Sequence, residues 1–493
     1  MSGKNLFLRY ASLNEQRCIS REDLGFYHGI VIGAIYEFES GFDVGSPQSF
    51  FAPLKHCIDE QVYLGVTVAD RHTDKAFFQR APQINLADHV TVLDRIPAGS
   101  GGGSSRWDAI EAVVQTSLNA PFRQDIPPWR IVVLPLQHSD SPTSSSYFIA
   151  FVYSHQILDG PSGNAFHKMF LAGLRTAADD AQVPMATTVS VIETRERPLP
   201  ATLDAPGRLP LSWAYLVSAL ATELLPRWLA GLLGFTPAVD GGTWTGAPAF
   251  FDAATTRTRA VVREISAPLV DRALRASRAN GARFTGTMLQ LIARALSKAL
   301  TGHPGAAAAT NFVSGVPANL RAAAGVPLDE MGQFYSGTYV KLPLVVGDGP
   351  LSADEWAGAR ESTLAFADVS SRLRDQPFAL LRYLPSIRGW MAGKLGKPRD
   401  VSFELSNVGV FHDDDEKKKK KGAKKVEITH AVFAQPGHVT GPPLTFNTVT
   451  VKGGSLVYTV TWPEGSALGI PEEDEEEFVN GICDSIEADF GRF

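Results

Sequence analysis

The feature that most restricts the fold is a strand, a tight turn and a helix within residues 145–181. The strand "SSYFIAFVYSH" is apolar on both faces, which is typical of a central strand covered on both sides of its sheet. The turn "QILDGPSG" follows, and the next segment repeats its apolar residues every three or four positions, as a helix does. This order predicts an α/β fold with His155 at the buried carboxyl end of a central strand.

Similar patterns occur on both sides of a segment rich in proline, glycine and small residues. We therefore predict an N-terminal lobe at 1–185, a crossover linker at 186–250 and a C-terminal lobe at 251–493, each lobe a sheet flanked by helices. The expected elements include strands at 24–37, 310–317, 334–345, 402–411, 428–434, 444–451 and 455–461 and helices at 49–62, 105–118, 285–300 and from about 475.

Composition restricts the class of protein. The 493 residues are 44% hydrophobic and carry a net charge of −6, which gives no argument for a nucleic acid partner. The three cysteines lie far apart without metal-type spacing, so we expect no disulfide scaffold and no metal. The opening "MSGKNLFLRY" has no apolar h-region, so we expect a cytoplasmic enzyme or binding protein.

The apolar stretch 209–235 is interrupted by Glu223, Pro226 and Arg227, which makes it a poor membrane span. We interpret it as a lid-like helix or a buried linker. The alternative is an amphipathic patch that rests on a membrane or lipid surface.

A run of like charges, "HDDDEKKKKKGAKK", occupies 412–425. Such blocks repel and solvate, so we expect a mobile loop between two strands. A basic patch that steers an anionic substrate or lipid is the alternative interpretation.

The segment His155 to Gly160 supplies candidate chemistry. An imidazole with an ordinary pKa near 6.5 can accept and return a proton around neutrality. Gly160 adds no side-chain bulk beside it, which suits a close backbone approach. Asp159 has two interpretations: it supports the histidine, or it only caps the helix that opens at Pro161.

The segment "SHQILDGPSGNAF" resembles the HxxxDG motif of the chloramphenicol acetyltransferase-like superfamily, which includes plant BAHD acyltransferases, condensation domains and alcohol acetyltransferases. The start of the chain, "NEQRCISREDLGFYHGIVIGAIYE", resembles the opening of fungal alcohol acetyltransferases. The segments "PPWRIVVLPL", "FTGTMLQLIARALSKAL", "GVPANLR", "MGQFYSGTYVKLPL" and "FELSNVGVF" follow in the order that such proteins use. The resemblance thus spans nearly the whole chain.

The resemblance implies two chloramphenicol acetyltransferase-like lobes with a tunnel between them, and transfer of acetyl from acetyl-CoA to a small alcohol or secondary-metabolite hydroxyl. His155 would be the general base, and Asp159 would pair with Arg321 to hold the turn. Ser406 and Asn407 would line the tunnel or bind the oxyanion, with the backbone of Gly160 as a further donor. We expect a monomer whose partners are acyl-CoA and the alcohol.

Two departures from the superfamily's motifs indicate which of its branches this chain resembles. Ser154 stands where the family often has a second histidine. The internal DFGWG motif of the plant enzymes is not present, and we treat "DFGRF" at 489–493 as coincidental, which favours the alcohol acetyltransferases over the plant enzymes. Two other functions stay open. One is a condensation-like N-acyltransferase, which predicts neighbouring carrier domains, and the other is a non-catalytic protein that keeps the fold.

Overall fold

A computed structural model describes residues 6–39, 44–94, 105–136, 144–179, 189–224, 238–345, 347–413, 426–465 and 467–493. The helices are α1 Leu13–Asp23, α2 Phe51–Glu60, α3 Arg106–Asn119, α4 Gly160–Asp179, α5 Trp213–Leu224, α6 Ala267–Ala279, α7 Phe284–Ala299, α8 Ala353–Ser371, α9 Ile387–Ala392 and α10 Glu472–Gly491. The strands are β1 Phe7–Tyr10, β2 Gly29–Glu39, β3 Val66–Ala69, β4 Phe77–Arg80, β5 Gln83–Asn85, β6 Val90–Val92, β7 Trp129–Leu136, β8 Ser144–Ser154, β9 Val191–Glu193, β10 Thr258–Ile265, β11 Asn311–Asn319, β12 Tyr335–Pro343, β13 Phe403–Phe411, β14 Val426–Ala434, β15 Leu444–Val451 and β16 Leu456–Pro463.

Most of the expected elements are present, with two differences that matter near the site. The strand expected at 24–37 begins only at Gly29, because α1 ends just before it in a turn where Gly25 adopts a φ of 78°. Helix α1 was not expected. Its start is stabilised by a capping box in which Ser12 and Glu15 bond to each other's backbone N–H groups.

The first sheet has the strand order β14–β2–β8–β7–β6 among the described residues. Strand β8 lies at its centre, antiparallel to β2, with Ser154 opposite Gly29. Alternate residues of β2 and β8 pack against α2 and α4 on one face, and the others pack against α3 on the opposite face. Coverage of both faces is the physical reason why β8 is apolar throughout.

The second sheet has the order β10–β16–β15–β13–β11–β12 among the described residues and mixes parallel with antiparallel pairs. Helices α7 and α10 pack on it through a core that includes Ile292, Leu296, Ile482 and Ile486. The fold is therefore α/β with two sheet-rich lobes, as the sequence predicts.

The two lobes share core and strands. A buried cluster joins α3 and the back of the first sheet to β10, β14 and β16. Strand β14, which lies in the range predicted for the C-terminal lobe, pairs with β2 at the edge of the first sheet. The lobes are thus held together by a strand that crosses from one to the other.

The charged run predicted as a loop at 412–425 lies outside the described residues except for its first two positions. At its base, Arg175 donates to the Asp413 carboxylate at 2.7 and 2.9 Å and to the Val426 carbonyl at 2.7 Å. One helix residue therefore binds the chain on both sides of the run.

The apolar stretch at 209–235 forms α5 up to Leu224, and its remaining residues lie outside the described ranges. Trp213, Val217 and Leu220 lie on one face of α5 and are all exposed. The exposure of this face contradicts the interpretation of the stretch as a buried linker. None of the described helices combines the length and the apolar character needed to cross a bilayer.

Candidate active site

His155 follows directly on the end of β8 and is buried, with 6% of its surface exposed. Its Nδ1 lies 2.8 Å from the carbonyl oxygen of Leu158. A carbonyl can only accept, so Nδ1 carries the proton and Nε2 keeps a free lone pair. Burial, together with the charges of Arg21 and Arg17, lowers the pKa of His155 to about 3. The imidazole is therefore neutral at physiological pH and presents a basic nitrogen.

The turn after His155 is fixed by an ion pair that joins the two lobes. Arg321 donates to the two carboxylate oxygens of Asp159 at 2.7 and 2.8 Å, and both side chains are buried. The same carboxylate accepts from the Ser162 hydroxyl at 2.6 Å and from the Phe334 N–H at 3.0 Å. Burial opposes ionisation, but the charge and hydrogen bonds of Arg321 dominate and lower the pKa of Asp159.

Asp159 also caps α4. Its Oδ1 accepts from the backbone N–H of Ser162 at 3.2 Å, which is the geometry of an N-cap. The two interpretations of this residue, cap and ion-pair partner, therefore hold together. The carboxylate of Asp159 is occupied by Arg321, Ser162 and Phe334 rather than by the ring of His155, so its contribution is to hold the turn.

Gly160 and Gly163 lie where side chains would collide with the rest of the site. A Cβ on Gly160 would lie 2.7 Å from Cγ1 of Val408, and one on Gly163 would lie 2.2 Å from Cγ1 of Ile32. Both distances are shorter than real carbon contacts. The start of α4 can therefore pack against β13 and β2 only if these positions lack side chains.

Tyr335 is a site residue that the sequence did not single out. Its hydroxyl lies 3.2 Å from Nε2 of His155, and the two rings stack with centroids 5.2 Å apart. Because Nε2 is an acceptor in this tautomer, the phenol donates to it. Arg17 donates in turn to the phenol oxygen at 2.6 Å. Tyr335 thus lies at the accepting nitrogen of the imidazole.

Gln333, also unforeseen, attaches the C-terminal lobe to the end of β8. Its amide nitrogen donates to the carbonyls of His155 and Gln156, and its amide oxygen accepts from Asn14 at 2.9 Å. The sequence indicates the segment 331–335 only through its place in the order of motifs. Its chemistry was not visible because its partners are more than 100 residues away.

Ser406 and Asn407 lie on β13. The described residues provide no hydrogen-bond partner for the Ser406 hydroxyl, which leaves it available to a ligand. Asn407 is occupied: its nitrogen donates to Thr285 at 3.1 Å and its oxygen accepts from the Gly409 N–H at 2.8 Å. This second bond supports the bulge between Asn407 and Val410. Both ends of the Asn407 amide are therefore bound within the protein, which indicates a structural role.

A surface groove and a metal site are the two other kinds of functional site that the structure allows to be checked. An open groove of about 680 Å³ lies between α7 and α10, but its lining includes none of His155, Asp159 and Arg321. In the described part of the chain, no group of three or more His, Cys, Asp or Glu side chains could hold a metal ion. The better candidate is the site at His155, where an imidazole, an ion pair and a phenol are held together by hydrogen bonds.

Comparison with known proteins shows similarity to alcohol acetyltransferases. The family model "Alcohol acetyltransferase" matches residues 86–221, a range that contains His155. A curated relative, the "Probable alcohol acetyltransferase crmB" of Aspergillus fumigatus, is 24% identical over 470 residues, which cover 92% of this chain and 94% of the relative.

Solved structures share the fold. A trichothecene 15-O-acetyltransferase, TRI3 from Fusarium sporotrichioides, matches with a TM-score of 0.61 at 11% identity and covers 97% of this chain and 94% of its own. The starter condensation domain of rhizomide synthetase RzmA, solved with C8-CoA and Leu-SNAC, matches with a TM-score of 0.54 at 15% identity, covering 97% and 94%. This chain is therefore similar in sequence to alcohol acetyltransferases, and it shares its fold with an acetyltransferase and a condensation domain.

Proposed function

We propose that this chain is an acyl-CoA-dependent O-acyltransferase that transfers acetyl from acetyl-CoA to an alcohol, with His155 as general base. The observation that carries this proposal is the Nδ1–H bond from His155 to Leu158, which leaves a neutral imidazole whose Nε2 can accept a proton. In the family, this nitrogen takes the proton of the acceptor hydroxyl.

The reaction then proceeds without an acyl-enzyme. As Nε2 takes the proton, the alcohol oxygen forms a bond to the thioester carbonyl carbon, whose oxygen becomes negative. The imidazolium next returns the proton to the sulfur as the carbon–sulfur bond breaks, which regenerates neutral His155 and releases the ester and CoA. Holding both substrates in one site supplies much of the acceleration.

Tyr335 is the strongest candidate for the oxyanion donor. Its hydroxyl lies beside Nε2, and Arg17 polarises it by donating to the phenol oxygen. When the acceptor hydroxyl occupies Nε2, the phenol proton is free to turn to the thioester oxygen. Ser406 stays a second candidate because its hydroxyl has no partner in the described part of the chain.

The test is to incubate purified protein with acetyl-CoA and a panel of alcohols and amines while free thiol is measured. We expect thiol release that requires an alcohol and yields its acetyl ester. Release only with amines would instead support the condensation-like N-acyltransferase. No release with any acceptor, with folded protein and other acyl-CoAs also tried, would support the non-catalytic alternative.

We further propose a cytoplasmic monomer. Its partners would be acyl-CoA and the alcohol, and it would touch a lipid surface through the exposed face of α5. Sedimentation velocity tests the monomeric state, and vesicle flotation tests the contact with a lipid surface.

A further inference from the structure

Helix α1 directs two arginines towards His155. Arg17 and Arg21 are four residues apart and therefore lie on the same face of the helix. Arg17 reaches His155 through the bridging hydroxyl of Tyr335. The Arg21 guanidinium lies 3.7 Å from the ring centre of Tyr27, and that ring centre is 5.9 Å from the ring of His155.

Arg21 is buried without a carboxylate partner. Only 7% of the residue is exposed, no ion pair forms with it among the described residues, and its Nε is a buried donor without an acceptor. The other deeply buried arginines are matched: Arg294 pairs with two carboxylates, Arg321 pairs with Asp159, and Arg399 donates to four backbone carbonyls. A buried cation without a counter-charge is unfavourable, so this position suits an anionic group.

The charge of Arg21 acts on two acids, Glu404 and Glu22, but neither forms an ion pair with it among the described residues. Burial raises the pKa of Glu404, which is held by the side-chain amide of Gln435 at 3.1 Å. Burial also raises the pKa of Glu22, whose carboxylate accepts from the hydroxyl of Ser154. The other group on this side, His438, is kept neutral because burial lowers its pKa far below the ordinary range. Among the described residues, neither Arg17 nor Arg21 forms an ion pair on this side of His155.

We propose that Arg21, assisted by the charge of Arg17, binds a carboxylate of the substrate, so that the enzyme acts on a carboxylate-bearing compound. This inference rests on the proposed function, because it concerns the compound whose hydroxyl or acyl group reacts at His155. The phosphates of CoA do not fit the role, since the whole pantetheine arm separates them from the thioester. Two sources fit: a hydroxy acid as acceptor, or an acyl group with a terminal carboxylate.

The two sources are separated by matched substrates. In one arm, acetyl-CoA is combined with a panel of hydroxy acids and their methyl esters, such as 3-hydroxybutyrate and methyl 3-hydroxybutyrate. In the other arm, a neutral alcohol is combined with succinyl-CoA or butyryl-CoA, which differ only in the terminal carboxylate. We expect kcat/KM to favour the carboxylate by about tenfold or more in one arm, the usual effect of a charge-assisted contact.

The readout for Arg21 is the ratio of kcat/KM for the carboxylate to that for its neutral partner. We expect Arg21→Met to abolish the preference and Arg21→Lys to keep part of it. The same change at an exposed position, Arg275→Met, should leave the ratio unchanged. Equal use of both members of every pair, or a preference that survives Arg21→Met, overturns the proposal.

Calorimetric binding of the same hydroxy acids and of succinate keeps the two proposals distinguishable. If no substrate turns over but a carboxylate binds and Arg21→Met abolishes binding, the carboxylate subsite stands and the proposed transfer reaction fails. If alcohols are acetylated but no carboxylate is preferred or bound, the proposed function stands and the subsite is wrong.

Discussion

Arg321 donates to both carboxylate oxygens of Asp159, at 2.7 and 2.8 Å, and this forked pair joins the C-terminal lobe to the turn that carries His155. Arg321 also donates through Nε to the carbonyl of Glu330 at 2.9 Å, so the segment before Tyr335 is fixed by the same side chain. The pair thus positions the base and the adjacent phenol relative to each other.

A double-mutant cycle tests this link. We expect Asp159→Asn to destabilise the protein by about 3–5 kcal/mol, because a buried guanidinium loses its counter-charge while the cap is kept. Arg321→Met should cost a similar amount, and the double variant should be less damaged than the sum of the two. Urea unfolding measures each free energy. Additive effects, or a harmless Asp159→Asn, would reduce Asp159 to a helix cap.

Removing the imidazole tests the base. We expect His155→Ala to lower kcat by roughly 10²–10⁴-fold, the usual scale for general acid–base catalysis, with little change in acetyl-CoA binding. The measurement is thiol release with the best alcohol, and His56→Ala, which changes an exposed histidine, is the control. If His155→Ala turns over substrate at the wild-type rate, the mechanism is rejected.

Tyr335→Phe removes one hydroxyl and keeps the ring that stacks on His155. If the phenol stabilises the oxyanion, kcat should fall by about 10²-fold while KM changes little, because the bond strengthens only in the transition state. Tyr10→Phe provides the same chemical change at an exposed position. A rise in KM with unchanged kcat would assign Tyr335 to binding alone and leave the oxyanion to Ser406.

The pH profile tests the electrostatics of the base. Protonation inactivates a general base, so a pKa lowered from 6.5 to about 3 moves the acid limb of kcat/KM downwards. We therefore expect no loss of activity around 6.5 as the pH falls, and a decline only nearer to 3 or where the protein unfolds. Circular dichroism at each pH separates the two causes. An inflection near 6.5 in folded protein would contradict the burial of His155 beside Arg17 and Arg21.

Packing at the start of α4 gives a prediction that concerns Gly160. A Cβ there would lie 2.7 Å from Cγ1 of Val408, so we expect Gly160→Ala to destabilise the protein by about 1–3 kcal/mol through overpacking. Adding Val408→Ala removes the colliding methyl group and should recover part of the loss. Unfolding free energies of the two single variants and the double variant measure the recovery. Its absence would place the strain elsewhere.

Much of the framework was predictable because it depends on local patterns. The apolar run before His155 and the three-to-four spacing after Gly160 predict β8 and α4, since a central strand must be apolar on both faces and a helix on one. The motif also located His155, and the resemblance supplied Arg321 as a partner for Asp159. The strand at 444–451 agrees with β15 at both ends.

What the sequence determined by itself was therefore the order of the elements and the position of the candidate base, His155. Only the tertiary structure decided what surrounds that base. Helix α1 and Tyr335 come from segments far apart in the chain, and nothing in their local patterns indicates that a buried arginine, Arg21, and a half-buried one, Arg17, lie near an imidazole. Charged residues are almost always exposed, so sequence patterns place them at the surface. Their burial here depends on long-range packing of α1 and β12 around the end of β8, which local sequence does not encode.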